Sequence, residues 1–181
     1  MKRIFKSKKQ AGFTLAEAMV AVGVMGAGIL SLLPIFTQGL KANYQNQIQY
    51  IAQQKAQEAM ESIFTARDTR LVSSAQITNV SEGGIFLDGP QPLLASGPDG
   101  LYGTADDDAS NPDAIVIGPG PDKMFGTADD VQLNLTFMKR TIQITPNPNQ
   151  TNLKNITVTI NWTYEGQTSS YVLQGLISSF D

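Results

Sequence analysis

The apolar positions of the N-terminal third fall in two modes. Ala18 to Phe36 is a run of 19 residues without a charge, long enough for a helix to cross a hydrocarbon core, which takes about 20 mainly apolar residues. From Leu40 the pattern becomes one-sided. Leu40, Tyr44, Ile48, Ile51, Ala52, Ala59 and Ile63 recur at helical spacing among Gln, Asn and Lys, an amphipathic stripe that needs a surface to cover. Together the two modes predict one helix from Phe13 to about Ala66, ~80 Å long, half in a membrane and half in a soluble domain. Pro34 interrupts it. A proline removes a backbone donor and crowds the carbonyl four residues earlier, so a kink is expected near Leu30.

The C-terminal third alternates with period two. Val131, Leu133, Leu135 and Phe137 predict one half-buried strand; the phase then shifts to Ile142 and Ile144, which calls for a bulge or break near Met138-Lys139-Arg140. Pro146-Asn147-Pro148-Asn149 reads as a turn, and Ile156, Val158, Ile160, Trp162 and Tyr164 form the clearest strand in the chain. Glu165-Gly166-Gln167 should turn it into a last strand, Ser169 to Ser178. The expected product is an α+β fold in which the helical stripe covers one face of an antiparallel sheet, with Trp162 in the core. Lys139 and Arg140, the only basic pair in the soluble part, read as a solvated strand face or a salt bridge between subunits. Between helix and sheet, Asp68 to Pro92 gives only short apolar patches at 71–72, 77–80 and 85–87, punctuated by Gly83-Gly84 and Gly89-Pro90.

A duplication precedes the sheet. Gly97-Pro98-Asp99-Gly100-Leu101-Tyr102-Gly103-Thr104-Ala105-Asp106-Asp107 recurs 23 residues later, from Gly120 to Asp130, with eight of 11 positions identical. Two copies are too few for a solenoid. Nine aspartates lie between Asp88 and Asp130, against one lysine, Lys123. Such a density repels itself unless it is solvated or holds a cation. Calcium takes six to eight oxygens and glycines let a loop turn tightly around it, which makes Asp99, Asp106, Asp107, Asp122, Asp129 and Asp130 candidate calcium ligands. The same residues suit a pair of Asx-stabilised turns with free acids. The blocks resemble aspartate-rich, calcium-associated loops of bacterial surface proteins and some pseudopilins, but match neither the EF-hand nor the glycine-rich nonapeptide spacing.

Charge changes how the N-terminus is read. The leader Met1 to Gly12 holds Lys2, Arg3, Lys6, Lys8 and Lys9 and no acid, which places it in the cytoplasm and the rest of the chain across the membrane. A secretory signal peptide is cut after its apolar stretch. Here the candidate junction lies before it: Gly12-Phe13-Thr14-Leu15-Ala16-Glu17. This stretch resembles the class III leader junction of type IV pilins and pseudopilins. That resemblance implies a type IV pilin-like fold and a prepilin peptidase that cuts after Gly12 and methylates Phe13. It also makes Glu17 the single acid of the apolar segment. It implies as partners other pilin or pseudopilin subunits and the inner-membrane assembly platform. The helix running through Ala52 to Glu61 is similar to minor pilins of the PilV type and I-type pseudopilins of type II secretion.

A carboxylate at a helix centre in a membrane costs ~2.5 to 3.5 kcal/mol on insertion scales and marks a partner or a function. The new ammonium of Phe13 on a neighbouring subunit is a partner of the right charge, and such a contact would set axial register. Thr14-Leu15-Ala16-Glu17 also has the form of a capping box, with Glu17 favoured by the helix dipole.

The expected segments are the leader 1–12, a membrane and filament-core helix 13–38, its amphipathic continuation 39–66, a variable and aspartate-rich region 67–130, and the sheet 131–181. Losing the leader would leave eight basic against 16 acidic residues, a charge of −8, unsuited to nucleic acid. Cysteine and histidine are absent, which excludes disulfides, Cys/His zinc sites and His-based triads. The disulfide that many Gram-negative pilins carry is therefore missing. The expected function is that of a structural, minor subunit, an inner-membrane precursor and then part of a filament at the periplasm or cell surface. The competing class is an uncleaved membrane anchor displaying a calcium-binding module or a surface enzyme; no base stands beside a nucleophile to favour the enzyme.

Overall fold

A computed structural model describes residues 12–178. The basic leader residues Lys2, Arg3, Lys6, Lys8 and Lys9 lie outside the described residues. The chain divides into two compact units at Gln47/Ile48.

In the first unit, α1 (Leu15–Asp68) begins right after Thr14 and is assigned as helix without interruption through Pro34. The proline does not break it. Thr37 donates its hydroxyl to the Pro34 carbonyl at 2.9 Å, and Ser31 likewise to Gly28 at 2.7 Å. Large apolar residues here are exposed on every side, among them Val20, Ile29, Leu33 and Phe36.

In the second unit, the rest of α1 buries a stripe: Ile48, Ile51, Ala52, Ala56, Ala59, Met60, Ile63 and Ala66. The stripe starts one or two turns later than expected, because Leu40 and Tyr44 remain exposed. The helix ends in a Schellman arrangement, with the Leu71 N–H on the Ala66 carbonyl, the Arg70 N–H on that of Arg67, and Arg70 at φ 58°.

The stripe packs on a four-stranded antiparallel sheet whose order is β1 (Gln91–Pro92), β6 (Met138–Pro146), β7 (Leu153–Tyr164) and β8 (Gln167–Ser178). Alternation decides which side chains face the helix. Met138, Ile142 and Ile144 of β6 and Ile156, Val158, Ile160 and Trp162 of β7 are buried, and Met138 pairs with Trp162. The β7–β8 turn is the two residues Glu165 and Gly166, at φ 48° and 79°. Positive φ at both positions matches the strand twist of a tight hairpin, so β8 starts two residues earlier than Ser169. Past β1, the Asn79 side chain serves the edge of β6, accepting from the Ile144 N–H and donating to the Ile142 carbonyl, both at 2.8 Å.

The strand expected over Val131–Phe137 is divided. β5 (Val131–Asn134) pairs with β4 (Ala114–Gly118) in a sheet of its own, and β2 (Leu94–Ala95) pairs with β3 (Asp108–Pro112) in another. The phase shift is a turn at residues 135–137, closed by the Met138 N–H on the Leu135 carbonyl at 2.9 Å, rather than a bulge around Arg140. Leu135 is buried beneath it. The apolar patches at 71–87 form no strands; they contribute Ile77 and Phe86 to the core around a 3-10 turn, Val80–Glu82.

Candidate processing and assembly site

Gly12, Phe13 and Thr14 precede α1, outside any helix or strand and exposed, so the Gly12–Phe13 bond is accessible to a peptidase. Thr14 is the helix N-cap. Its N–H and hydroxyl donate to Glu17 Oε2 at 3.1 and 3.0 Å, and the Glu17 N–H donates back to Thr14 Oγ1 at 3.3 Å. This is a complete capping box, which satisfies helix-end donors that no carbonyl can reach. Both bonds to the carboxylate use Oε2, and no described residue bonds Oε1. The acid therefore stands one turn from the junction, fixed in direction, with an acceptor oxygen still open to a cation. Phe13, beside it, is 87% exposed. Among the described residues α1 is the one helix long and apolar enough to cross a membrane, and none of its apolar window is buried.

The aspartate repeats adopt one conformation twice. In the first loop Asp99 Oδ1 accepts from the Leu101 N–H at 2.8 Å, Asp107 Oδ2 from Gly103 at 2.7 Å, and Asp106 Oδ1 from the Thr104 hydroxyl at 2.7 Å. In the second, Asp122 accepts from Met124 at 2.8 Å, Asp130 from Gly126 at 2.7 Å, and Asp129 from Thr127 at 2.7 Å. The threonine hydroxyls hold Asp106 and Asp129 below the usual carboxylate range. Gly97 and Gly120 lie directly against the Asp106 and Asp129 carbonyls, where a Cβ would collide. These are Asx turns carried by the aspartates themselves. Among the described residues no three acidic side chains come together around a point that could hold a metal ion. The calcium expectation on these six residues gains no support from this arrangement.

A third group of charges is internal. Lys55 Nζ donates to Glu58 Oε2 at 2.8 Å and to Asp113 Oδ1 at 3.0 Å. Burial pulls the ammonium down, but the two carboxylates outweigh it and raise its pKa. Arg140 is 1% exposed, and none of its side-chain nitrogens has a hydrogen-bond partner among the described residues. Burial depresses its pKa, while Asp107 and Asp113 favour its charge. The Tyr102 ring lies 4.6 Å from the guanidinium carbon. In turn, burial pushes Asp107 up, against the Gly103 N–H and Arg140. The reading of Lys139 and Arg140 as one solvated basic pair is thus corrected: adjacent strand residues point to opposite faces, and only Lys139 is exposed. The sequence signal was the phase, since Arg140 falls with Met138, Ile142 and Ile144. Lys55 likewise sits on the stripe between Ala52 and Ala56.

With this geometry in place, comparison with known families is specific about one region. Residues 7–33 match the family model for the prokaryotic N-terminal methylation motif. This is the class III prepilin leader, consistent with a type IV pilin or pseudopilin, and it implies processing by prepilin peptidase and assembly with other pilin subunits. The leader and the apolar helix fit a precursor anchored in the inner membrane. No curated protein and no solved structure matches the chain.

Proposed function

We propose that this protein is a structural, minor subunit of a type IV pilus or related pseudopilus, and not itself an enzyme. Prepilin peptidase cuts it after Gly12 and methylates Phe13. The apolar half of α1 holds the precursor in the inner membrane, leader inside and C-terminal domain outside, and later packs in the filament core. The observation that supports this most is the join of two features: a capped helix start within the methylation motif, and in the same helix a membrane-length apolar window of which none is buried. A helix apolar on all sides requires lipid or other helices around it.

Glu17 has two tasks in this reading. Oε2 caps its own helix, and Oε1 accepts the Phe13 ammonium of a neighbouring subunit, which relieves the cost of a carboxylate in an apolar environment. Glu17→Ala should leave cleavage intact and deplete the protein from the sheared filament fraction. Glu17→Gln separates the tasks, because an amide oxygen can still cap Thr14 but carries no charge. If charge pairing is the role, Glu17→Gln fails to incorporate as Glu17→Ala does; incorporation at the normal level by either variant contradicts the pairing.

A further inference from the structure

The two copies of the repeat share an internal frame and differ in what they bury. In the first, Leu101 is 1% exposed and Tyr102 covers the Arg140 guanidinium. The loop is tied down by the Leu87 N–H, which donates to the Gly103 carbonyl at 2.8 Å. In the second copy the matching residues are Met124 and Phe125, 63% and 69% exposed. Their loop carries the same set of Asx bonds, so it displays this apolar pair from a backbone that is already ordered, and docking it costs little conformational entropy.

The first loop shows what such a pair packs on: an apolar wall with a cation beneath the ring. The outer face of the sheet offers the same combination at one place. Lys139, which follows Met138 and precedes Arg140 on β6 but points the opposite way, shares a shallow pocket with Pro90, Phe137 and Thr168, floored by the β7 strand at residues 161–163. The loop brings Asp122, Asp129 and Asp130 against its one Lys123, and the pocket brings a lysine, so the charges are complementary.

We infer that the Met124–Phe125 loop of one subunit docks into the Pro90–Phe137–Lys139 pocket of a second copy of the chain, with the Phe125 ring against the Lys139 ammonium. The contact joins two different surfaces. Such a heterologous contact does not close a two-fold dimer, and where its rotation does not close a ring it propagates as an open chain, which is what a filament subunit needs; in that respect the inference rests on the filament reading.

The sequence contains no cysteine, so introduced pairs report cleanly. Full-length M124C and T168C, which keep the Phe125 ring, are mixed and mildly oxidised, in detergent and in sheared filaments, and the double variant M124C/T168C is treated alike. Both positions are exposed, so the fold should tolerate them. A disulfide requires Cα atoms within about 7 Å. The expected result is a crosslinked dimer from the mixture and a ladder of higher species from the double variant. Adding K139E should cut the yield about fivefold. Dimerisation of M124C with itself at the rate of the mixture, a yield indifferent to K139E, or no crosslink in either preparation overturns the contact. A ladder in detergent from a chain that never enters filaments keeps the contact and discards the filament reading. Filaments without the crosslink keep the filament reading and discard the contact.

Discussion

The two halves of α1 handle apolar residues in opposite ways. Up to Gln47 they are exposed around the whole circumference; from Ile48 they form a single stripe that the sheet of the same chain covers. One half has its partner encoded in its own sequence, and the other must find it in lipid or in another subunit. The described part of the methylation motif, residues 12–33, lies at the start of the unpartnered half. The difference also explains where charge is tolerated. Glu17 sits at the very start of the exposed half, where a cap can hold it, whereas Lys55 enters the buried stripe only with Asp113 and Glu58 beside it.

The sharpest way to break this contrast is to trim one apolar side chain in each half of the full-length chain in detergent. Ile63 is wholly buried, so Ile63→Ala should cost about 2–5 kcal/mol in denaturant unfolding followed by Trp162 fluorescence. Leu30→Ala, in the exposed half, should change the same transition by less than ~0.5 kcal/mol. Equal effects would mean that the halves are not energetically distinct.

A smaller effect is expected at Lys55. Lys55→Met strands the Asp113 carboxylate and should cost roughly 2 kcal/mol, short of the full penalty for breaking a dry pair because Glu58 reaches solvent. The pH dependence has a definite sign. The folded Lys55 pKa is raised above the ordinary lysine value, so the pair's contribution is complete below that value and is lost as pH rises through the elevated folded one. Wild-type stability should therefore fall faster than that of Lys55→Met above about pH 10.4. Parallel alkaline limbs would show that the pair contributes nothing.

The elements legible in the sequence are those whose burial follows a single period. The helix, the β7–β8 hairpin with its Glu165-Gly166 turn, and the buried Trp162 all come from unbroken periodicity, and the Thr14–Glu17 box from four residues in a row. What was hidden depended on contacts between distant segments. Arg140 reads as surface because charge normally outweighs phase; its burial depends on Tyr102 and Asp107, far away in the chain. The two repeats are nearly the same locally and form the same turns, yet one is docked and the other exposed, since local sequence decides hydrogen bonding within a turn and not what the turn rests on. Pro34, from which a kink near Leu30 was expected, lies inside α1 without ending it, as prolines in membrane helices do.

The most direct test is the mass of the N-terminal peptide from protein recovered in the membrane or filament fraction. A chain beginning at Phe13 and carrying one added methyl group is the predicted result. An intact Met1 end, or a new end beyond the apolar run as an ordinary signal peptidase would leave, would contradict the proposal that this protein is cut after Gly12 and assembled through the helix that follows.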